Sequence, residues 1–238
     1  MDGSLFNSPV YKNWRNNRIN KLIEILGGGH WFKNKKILEL GCAYGHTGKI
    51  LMTYGADVVF AEPRRHYHNH ILGICGCTDC LPLSKDVSII QLDQNSPWSF
   101  KPPVFDLIIH WGVLYHLENW EQDLINTLDH GVKICLESEV LDSDHPFGIR
   151  HRREAGPDQS CHGIGSFPSY ASIERVIQDH PNFISYQRYD DASINAGHQH
   201  YDWKPTNDGR AIPGRRRFWM IQSGPGIWGS LVQKHNYQ

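Results

Sequence analysis

Lys36-Ile37-Leu38-Glu39-Leu40 runs without a break into Gly41-Cys42-Ala43-Tyr44-Gly45, and this junction restricts the possible folds more than any other stretch. A short apolar run followed by spaced glycines reads as a buried strand and a tight turn where backbone approaches a ligand. A helix over residues 47–54 should follow, its first N–H groups left unpaired for that ligand. Such a unit belongs to a parallel sheet covered on both faces. A covered sheet demands a sizeable core, which 238 residues with 39% hydrophobic side chains supply within one domain.

The remaining chain alternates in the same manner. Residues 56–61 form a second predicted strand ending at Glu62, and residues 87–92 a third ending at Asp93. Residues 105–109 make a fourth, residues 118–128 a helix, and residues 132–136 a fifth strand that ends among acids. Ser169 caps a predicted helix over residues 169–179, and strands follow at 183–189 and 217–222. Upstream, Trp14, Ile19, Leu22, Ile23 and Leu26 recur at helical spacing until Gly27-Gly28-Gly29 stops them. The expected fold class is therefore α/β, Rossmann-like, with helices on both faces of a mostly parallel sheet. The expected divisions are a cover helix and linker over residues 1–34, the main domain over 35–223 and a surface tail over 224–238. Within the main domain, the His-, Gly- and Pro-rich residues 142–168 exceed an ordinary connection and read as a substrate loop or lid.

Charge excludes some classes. A formal net charge of -1 and 21% charged residues argue against a disordered chain and against a broadly basic nucleic-acid binder. The first residues lack the basic, apolar and small pattern of a secretory leader, and no apolar stretch reaches the roughly 18 residues of a membrane span. A cytoplasmic protein with reduced thiols is the expectation, its oligomeric state open. Cys75, Cys77 and Cys80, preceded by His66, His68 and His70, could ligate zinc or be plain reduced cysteines. The spacing lacks a second paired Cys-x-x-Cys, so no metal ligand is assigned.

Glu62 follows Gly41 by about 20 residues, where a strand-end acid can accept both hydroxyls of an adenosine ribose. That spacing alone suits NAD equally, and an NAD-dependent oxidoreductase stays open at this point. The longer series is more selective: Glu39-Leu40-Gly41-Cys42-Ala43-Tyr44-Gly45, Glu62, Leu92-Asp93, then His110-Trp111-Gly112-Val113-Leu114-Tyr115-His116-Leu117. It resembles the class I S-adenosylmethionine (SAM)-dependent methyltransferases, and Gly-Val-Leu-Tyr-His-Leu looks like a subgroup that includes tRNA wobble-uridine carboxymethyltransferases. The resemblance implies a final antiparallel strand in the sheet. It also implies that Glu39, Gly41 and Gly45, with Cys42, Ala43 and Tyr44 between them, border the methionine part of SAM. Glu62 would bind the ribose and Asp93 the adenine amino group, with His110, Trp111 and Tyr115 beside the sulfonium. Ala43 departs from the family, where many relatives carry glycine.

SAM arrives with an activated methyl, so a methyltransferase mainly aligns an acceptor and excludes water. An alcohol also needs a base, and histidine suits that task. His116, after the fourth strand, is the first candidate, although the Tyr115-His116 pair could instead brace the next helix. Glu137, Glu139 and His145 form a second cluster that could share the base role, orient sugar hydroxyls, hold a divalent cation or be a solvated acidic loop. Arg150, His162, His200 and Trp203 are candidate acceptor contacts, and Arg215-Arg216-Arg217 add arginine forks suited to phosphate or sugar. The sequence carries no Asn-Pro-Pro-Tyr or Asp-Pro-Pro-Tyr segment and no catalytic Pro-Cys pair, which disfavours nucleobase targets. The expected activity is O-methylation of a sugar, glycan or small metabolite. A tRNA-modifying methyltransferase is the alternative, weakened by the near-neutral charge; a non-catalytic SAM-binding protein is a third.

Overall fold

The computed structural model describes residues 8–73, 87–98, 105–156 and 159–224. Seven strands form one sheet: β1 (Lys36–Leu40), β2 (Asp57–Ala61), β3 (Ser88–Ile90), β4 (Leu107–Trp111), β5 (Lys133–Leu141), β8 (Phe183–Arg188) and β9 (Ala211–Ser223). Their order is β3-β2-β1-β4-β5-β9-β8. The pairs from β3 through β5 are parallel, whereas β9 runs antiparallel between β5 and β8. This is the mostly parallel, Rossmann-like sheet with one reversed strand that the resemblance implies. Strand order turns back on itself beside β1, and open α/β sheets place ligands outside the carboxyl ends of the strands at such a point.

Period-two alternation sends neighbouring residues of each strand into two different cores. Ile37, Val58, Ile109, Trp111 and Cys135 face one cluster, completed by Trp14, Ile19 and Leu22 of α1 (Pro9–Ile25) and Leu51 of α2 (His46–Thr53). Ile71 of α3 (Arg65–Ile71) joins that side. Leu38, Leu40, Ile108, Ile134 and Leu136 face the other cluster, completed by Trp120, Leu124 and Leu128 of α4 (Trp120–His130) and Ile173, Val176 and Ile177 of α5 (Tyr170–Asp179). Both faces are covered, as the uninterrupted apolar strands require.

The ends of these elements follow their chemistry. Ser8 caps α1 by accepting from Tyr11 N–H at 3.2 Å, with Pro9 in the first turn, where its missing N–H costs nothing. Gly27 and Gly28 stop it with φ of 80° and 124°. Ser169 caps α5 through Ser172 N–H at 2.9 Å, as the sequence predicts.

Two departures matter. β5 continues through Glu137 and Glu139 to Leu141, so those acids lie inside a strand paired with β9 rather than in a loop beyond it. The predicted loop between β5 and α5 contains an antiparallel hairpin, β6 (Ile149–Arg153) and β7 (Ile164–Pro168), separate from the main sheet. Its two ends are tied together by a bridge between Leu141 and Ser169 and by Ser169 N–H donating to Gly148 C=O at 2.8 Å.

Candidate active site

The glycine turn after β1 is built from alternating left-handed residues: Gly41 at φ 56°, Ala43 at 47° and Gly45 at 68°. Gly41 tolerates nothing larger, because a Cβ there would lie 2.4 Å from Val113 Cγ2. Ala43 carries a conformational cost in this region that a glycine would not. Two acids fix the turn. Glu39 Oε2 accepts from Gly48 N–H of α2 at 2.9 Å, and Glu62 Oε2 accepts from Ala43 N–H at 3.0 Å. Burial pushes the Glu39 carboxyl up to about 7, with the Gly48 N–H and the Thr47 side chain opposing.

Above the turn opens a cavity of about 360 Å³, within the range of small-molecule sites. Its floor is Glu39, Gly41, Cys42, Ala43 and Tyr44, one wall Glu62, Arg64 and Asp93, and another Trp111, Tyr115 and His116. Helix α1 roofs it with Tyr11, Trp14, Arg15 and Arg18. A close-approach glycine, strand-end acids and aromatic walls match the needs of an adenosyl cofactor with an amino-acid tail. Burial raises the Tyr115 hydroxyl above its ordinary range despite Arg216 Nη2, which donates to its oxygen at 2.8 Å.

His116 sits on a 3-10 turn, Leu114–His116, that follows β4. Its Nδ1 lies 2.6 Å from Glu154 Oε2, and the Glu154 side chain is fully buried. Burial alone would raise the Glu154 carboxyl, but the His116 hydrogen bond and charge, Ser160 N–H and Arg152 together hold it below the usual carboxylate value. Gly165 of β7 makes room for this pair, since a Cβ there would meet the Tyr115 carbonyl at 2.7 Å and Glu154 at 2.8 Å. Sequence reasoning missed Glu154. Only the hairpin, which pairs Arg153 with Ile164, brings it beneath the turn after β4.

Several expected site residues stand elsewhere. His110 belongs to the opposite face of β4, where its Nε2 lies 2.6 Å from Asp123 Oδ2 in complete burial under α4. Gly45 ends the turn as the α2 cap instead of lining the cavity. Glu137 is consumed by Arg18 Nη1 at 3.2 Å, Arg216 Nη1 at 2.8 Å and the Tyr201 hydroxyl at 3.1 Å. Glu139 accepts from Gly214 N–H at 2.9 Å, close to Arg216. His145 is exposed beside the hairpin, its carbonyl accepting from Ser169 Oγ.

Of the expected acceptor contacts, Arg150 is exposed on β6 and His200 is exposed where it bridges Arg215. The Trp203 ring stacks on Arg217 at 3.8 Å. His162 is not among the residues that line the cavity, but its Nε2 lies 2.7 Å from Oδ2 of Asp93, which does line it. Their sequence neighbours Ser160, Cys161, His198 and Gln199 line the cavity instead. The three late arginines are held internally: Arg215 by Asp142, Arg216 by Glu137 and Gln199, Arg217 by backbone carbonyls of Tyr201 and Trp203. Among the described residues no group of three or more metal-ligating side chains converges, and Cys75, Cys77 and Cys80 lie outside those residues. No described helix is long and apolar enough to cross a membrane.

The family described as "Methyltransferase domain" matches residues 11–183. Among solved structures, the N-terminal domain of EvdMO1 with S-adenosylhomocysteine and D-fucose superposes with a TM-score of 0.61 at 15% identity, over 88% of this chain and 82% of that one. The PH0226 protein from Pyrococcus horikoshii OT3 gives 0.56 at 12% identity, over 92% and 93%. The 1,6-didemethyltoxoflavin-N1-methyltransferase of Burkholderia thailandensis, with 1,6-didemethyltoxoflavin and S-adenosylhomocysteine bound, gives 0.51 at 12% identity, over 89% and 78%. At these identities the likeness is one of fold. No curated protein matches the chain in sequence.

Proposed function

The chain belongs to the methyltransferase-domain family and is a class I SAM-dependent methyltransferase, and from that premise we propose that it methylates a hydroxyl on a sugar, glycan or other small metabolite. The observation that carries this reading is His116, on the wall of the cavity with Nδ1 held by the buried carboxylate of Glu154. A carboxylate accepts only, so Nδ1 carries a proton, and in the neutral ring Nε2 is left with a lone pair. That is the tautomer needed to take a proton from an alcohol, a poor nucleophile while protonated. Glu154 then fixes the ring and stabilises the imidazolium that forms, a positioning role. When bound, SAM supplies a methyl group on a cationic sulfur that departs as a neutral thioether.

The other residues bind and exclude water. The Glu62 carboxylate suits the ribose hydroxyls, Glu39 the ammonium of the amino-acid tail, and Asp93 the adenine amine. The 142–168 excursion, with its hairpin, closes the acceptor side as a separate module within the main domain. The fold also serves nitrogen acceptors, as the N1-methyltransferase shows by its name, so the fold alone does not select oxygen. The His116–Glu154 pair supports oxygen, and EvdMO1, a protein of the same fold, was solved with a sugar in its presence.

The purified protein would be offered labelled SAM with free, nucleotide-linked and polymeric sugars, and label should enter at least one of them. His116→Ala should lower that turnover by roughly 10²–10⁴-fold while S-adenosylhomocysteine affinity stays near wild type. Label found only in RNA would overturn the sugar reading, and unchanged turnover in the variant would remove His116 as base.

A further inference from the structure

Between β8 and β9 the chain makes a two-residue turn at Gly197-His198. Ala196 N–H donates to Gln199 C=O at 3.1 Å, and Gln199 N–H donates back to Ala196 C=O at 3.0 Å. Gly197 takes φ of 58°, so the turn needs glycine at its first central position and puts His198 at the second. The tip is wedged between two elements. A Cβ on Gly197 would lie 2.6 Å from Val10 Cγ1 of α1, and one on Gly214 of β9 would overlap the His198 carbonyl. His198 is exposed and lines the cavity, while Gln199 beside it is buried.

A histidine at an open turn tip is ordinarily solvated and nothing more; this one has a fixed partner behind its ring. Arg216, only 3% exposed, donates from Nη1 to Glu137, from Nη2 to the Tyr115 hydroxyl and from Nε to Gln199 Oε1. A guanidinium has no acceptor, so Gln199 must turn its carbonyl oxygen toward it. The amide NH₂ of Gln199 is then the group that faces His198 Nε2, at 2.8 Å. That NH₂ donates, so Nε2 accepts and the proton of the neutral ring sits on Nδ1, which no described residue engages. The same guanidinium holds Tyr115, whose ring centroid lies 4.1 Å from that of His116. One buried cation thus ties together two imidazoles of opposite tautomer, His116 with a lone pair on Nε2 and His198 with an N–H on Nδ1. We propose that His198 donates this Nδ1–H to a second oxygen of the acceptor, with Gln199 and Arg216 as positioning residues. The acceptor is accordingly a polyhydroxy compound rather than a simple alcohol, one oxygen losing its proton to His116 and another accepting from His198. This rests on the hydroxyl-acceptor reading above and narrows it.

The test first locates the proton. Nitrogen-15 spectra of the imidazole should show it on Nδ1 of His198 in wild type, and Gln199→Met should shift it toward Nε2. A proton on Nε2 in wild type overturns the relay. Methyl transfer to D-galactose, D-fucose and D-glucose, each beside its monodeoxy derivatives, then reads the contact. At one position other than the methylated one, loss of the hydroxyl should lower wild-type kcat/KM by roughly 3–10-fold. His198→Ala should raise the sugar KM by a similar factor, leave S-adenosylhomocysteine affinity near wild type and respond no further to that deoxygenation. His198→Asn, which keeps an N–H donor near the Nδ1 position, should restore most of the loss. An unchanged KM in His198→Ala, or a deoxygenation penalty that this variant retains in full, overturns the contact. Sugars methylated without dependence on any second hydroxyl overturn it also, while the hydroxyl reading stands. Wild type that methylates no sugar sinks that reading and the contact with it. The wild-type spectrum and the deoxy series stand even if Gln199→Met fails to fold.

Discussion

Glu39 carries two opposed demands in one carboxyl group. It is buried at the end of β1, and that burial lifts it from its ordinary value of 4.5 to about 7. A carboxylic acid raised in the folded state contributes stability that is present below the unfolded value and lost as pH rises through about 7. Ligand-free protein should therefore lose stability at this residue between pH 5 and 8. Binding an ammonium requires the charged form, so S-adenosylhomocysteine should bind more tightly at pH 8 than at pH 6. Glu39→Gln should show both effects by removing them: its melting temperature relative to wild type should climb with pH, and its weaker ligand affinity should be flat across the same interval. Melting curves and titrations at pH 6, 7 and 8 read the two trends, and parallel pH profiles in wild type and variant would refute the role. At Gly41 the constraint is steric, since φ of 56° and the side chain of Val113 both exclude a Cβ.

At the scale of the element, the helix that returns the chain to the sheet depends on one hydroxyl. Ser169 Oγ accepts from Ser172 N–H at 2.9 Å and donates to the His145 carbonyl at 2.6 Å, capping α5 and fastening the base of the excursion together. Ser169→Ala should cost about 1–2 kcal/mol in urea unfolding, the upper range for a cap because two partners, one of them buried, lose their bond. A loss under ~0.3 kcal/mol would show that the fastening is redundant. The order of elements was legible in the sequence because buried parallel strands are apolar runs and glycines punctuate them, as between Leu40 and Gly45. Period-two alternation also held the information that His110 and Trp111 face opposite ways, and assigning both to one site ignored it. Glu154 left no such trace, because its approach to His116 depends on a hairpin pairing across a long excursion. Arg15 and Arg18 did leave one: they share the buried stripe of α1 with Trp14 and Leu22, where charged side chains are out of place unless something answers them.

For the whole molecule, ligand and fold are linked through the cleft, because its walls come from α1, β1, β4, the turns that follow β1 and β2, and the segment after α5 at once. A ligand that binds only the folded state at 100 times its dissociation constant adds about 2.7 kcal/mol. For a domain of this size that is roughly 5–10 °C in melting temperature. S-adenosylhomocysteine should produce this shift and NAD should not; a shift with NAD alone would contradict the assignment of the cleft.

The bridge between Leu141 and Ser169 has a consequence for how such a chain diversifies. Because the excursion leaves the end of β5 at Leu141 and returns beside it at Ser169, its length can change by insertion, deletion or recombination without moving the strands that border the cleft. On the proposed reading, in which the excursion faces the acceptor, descent can preserve the donor chemistry while trading one acceptor for another between those two codons, provided that Glu154 stays against His116.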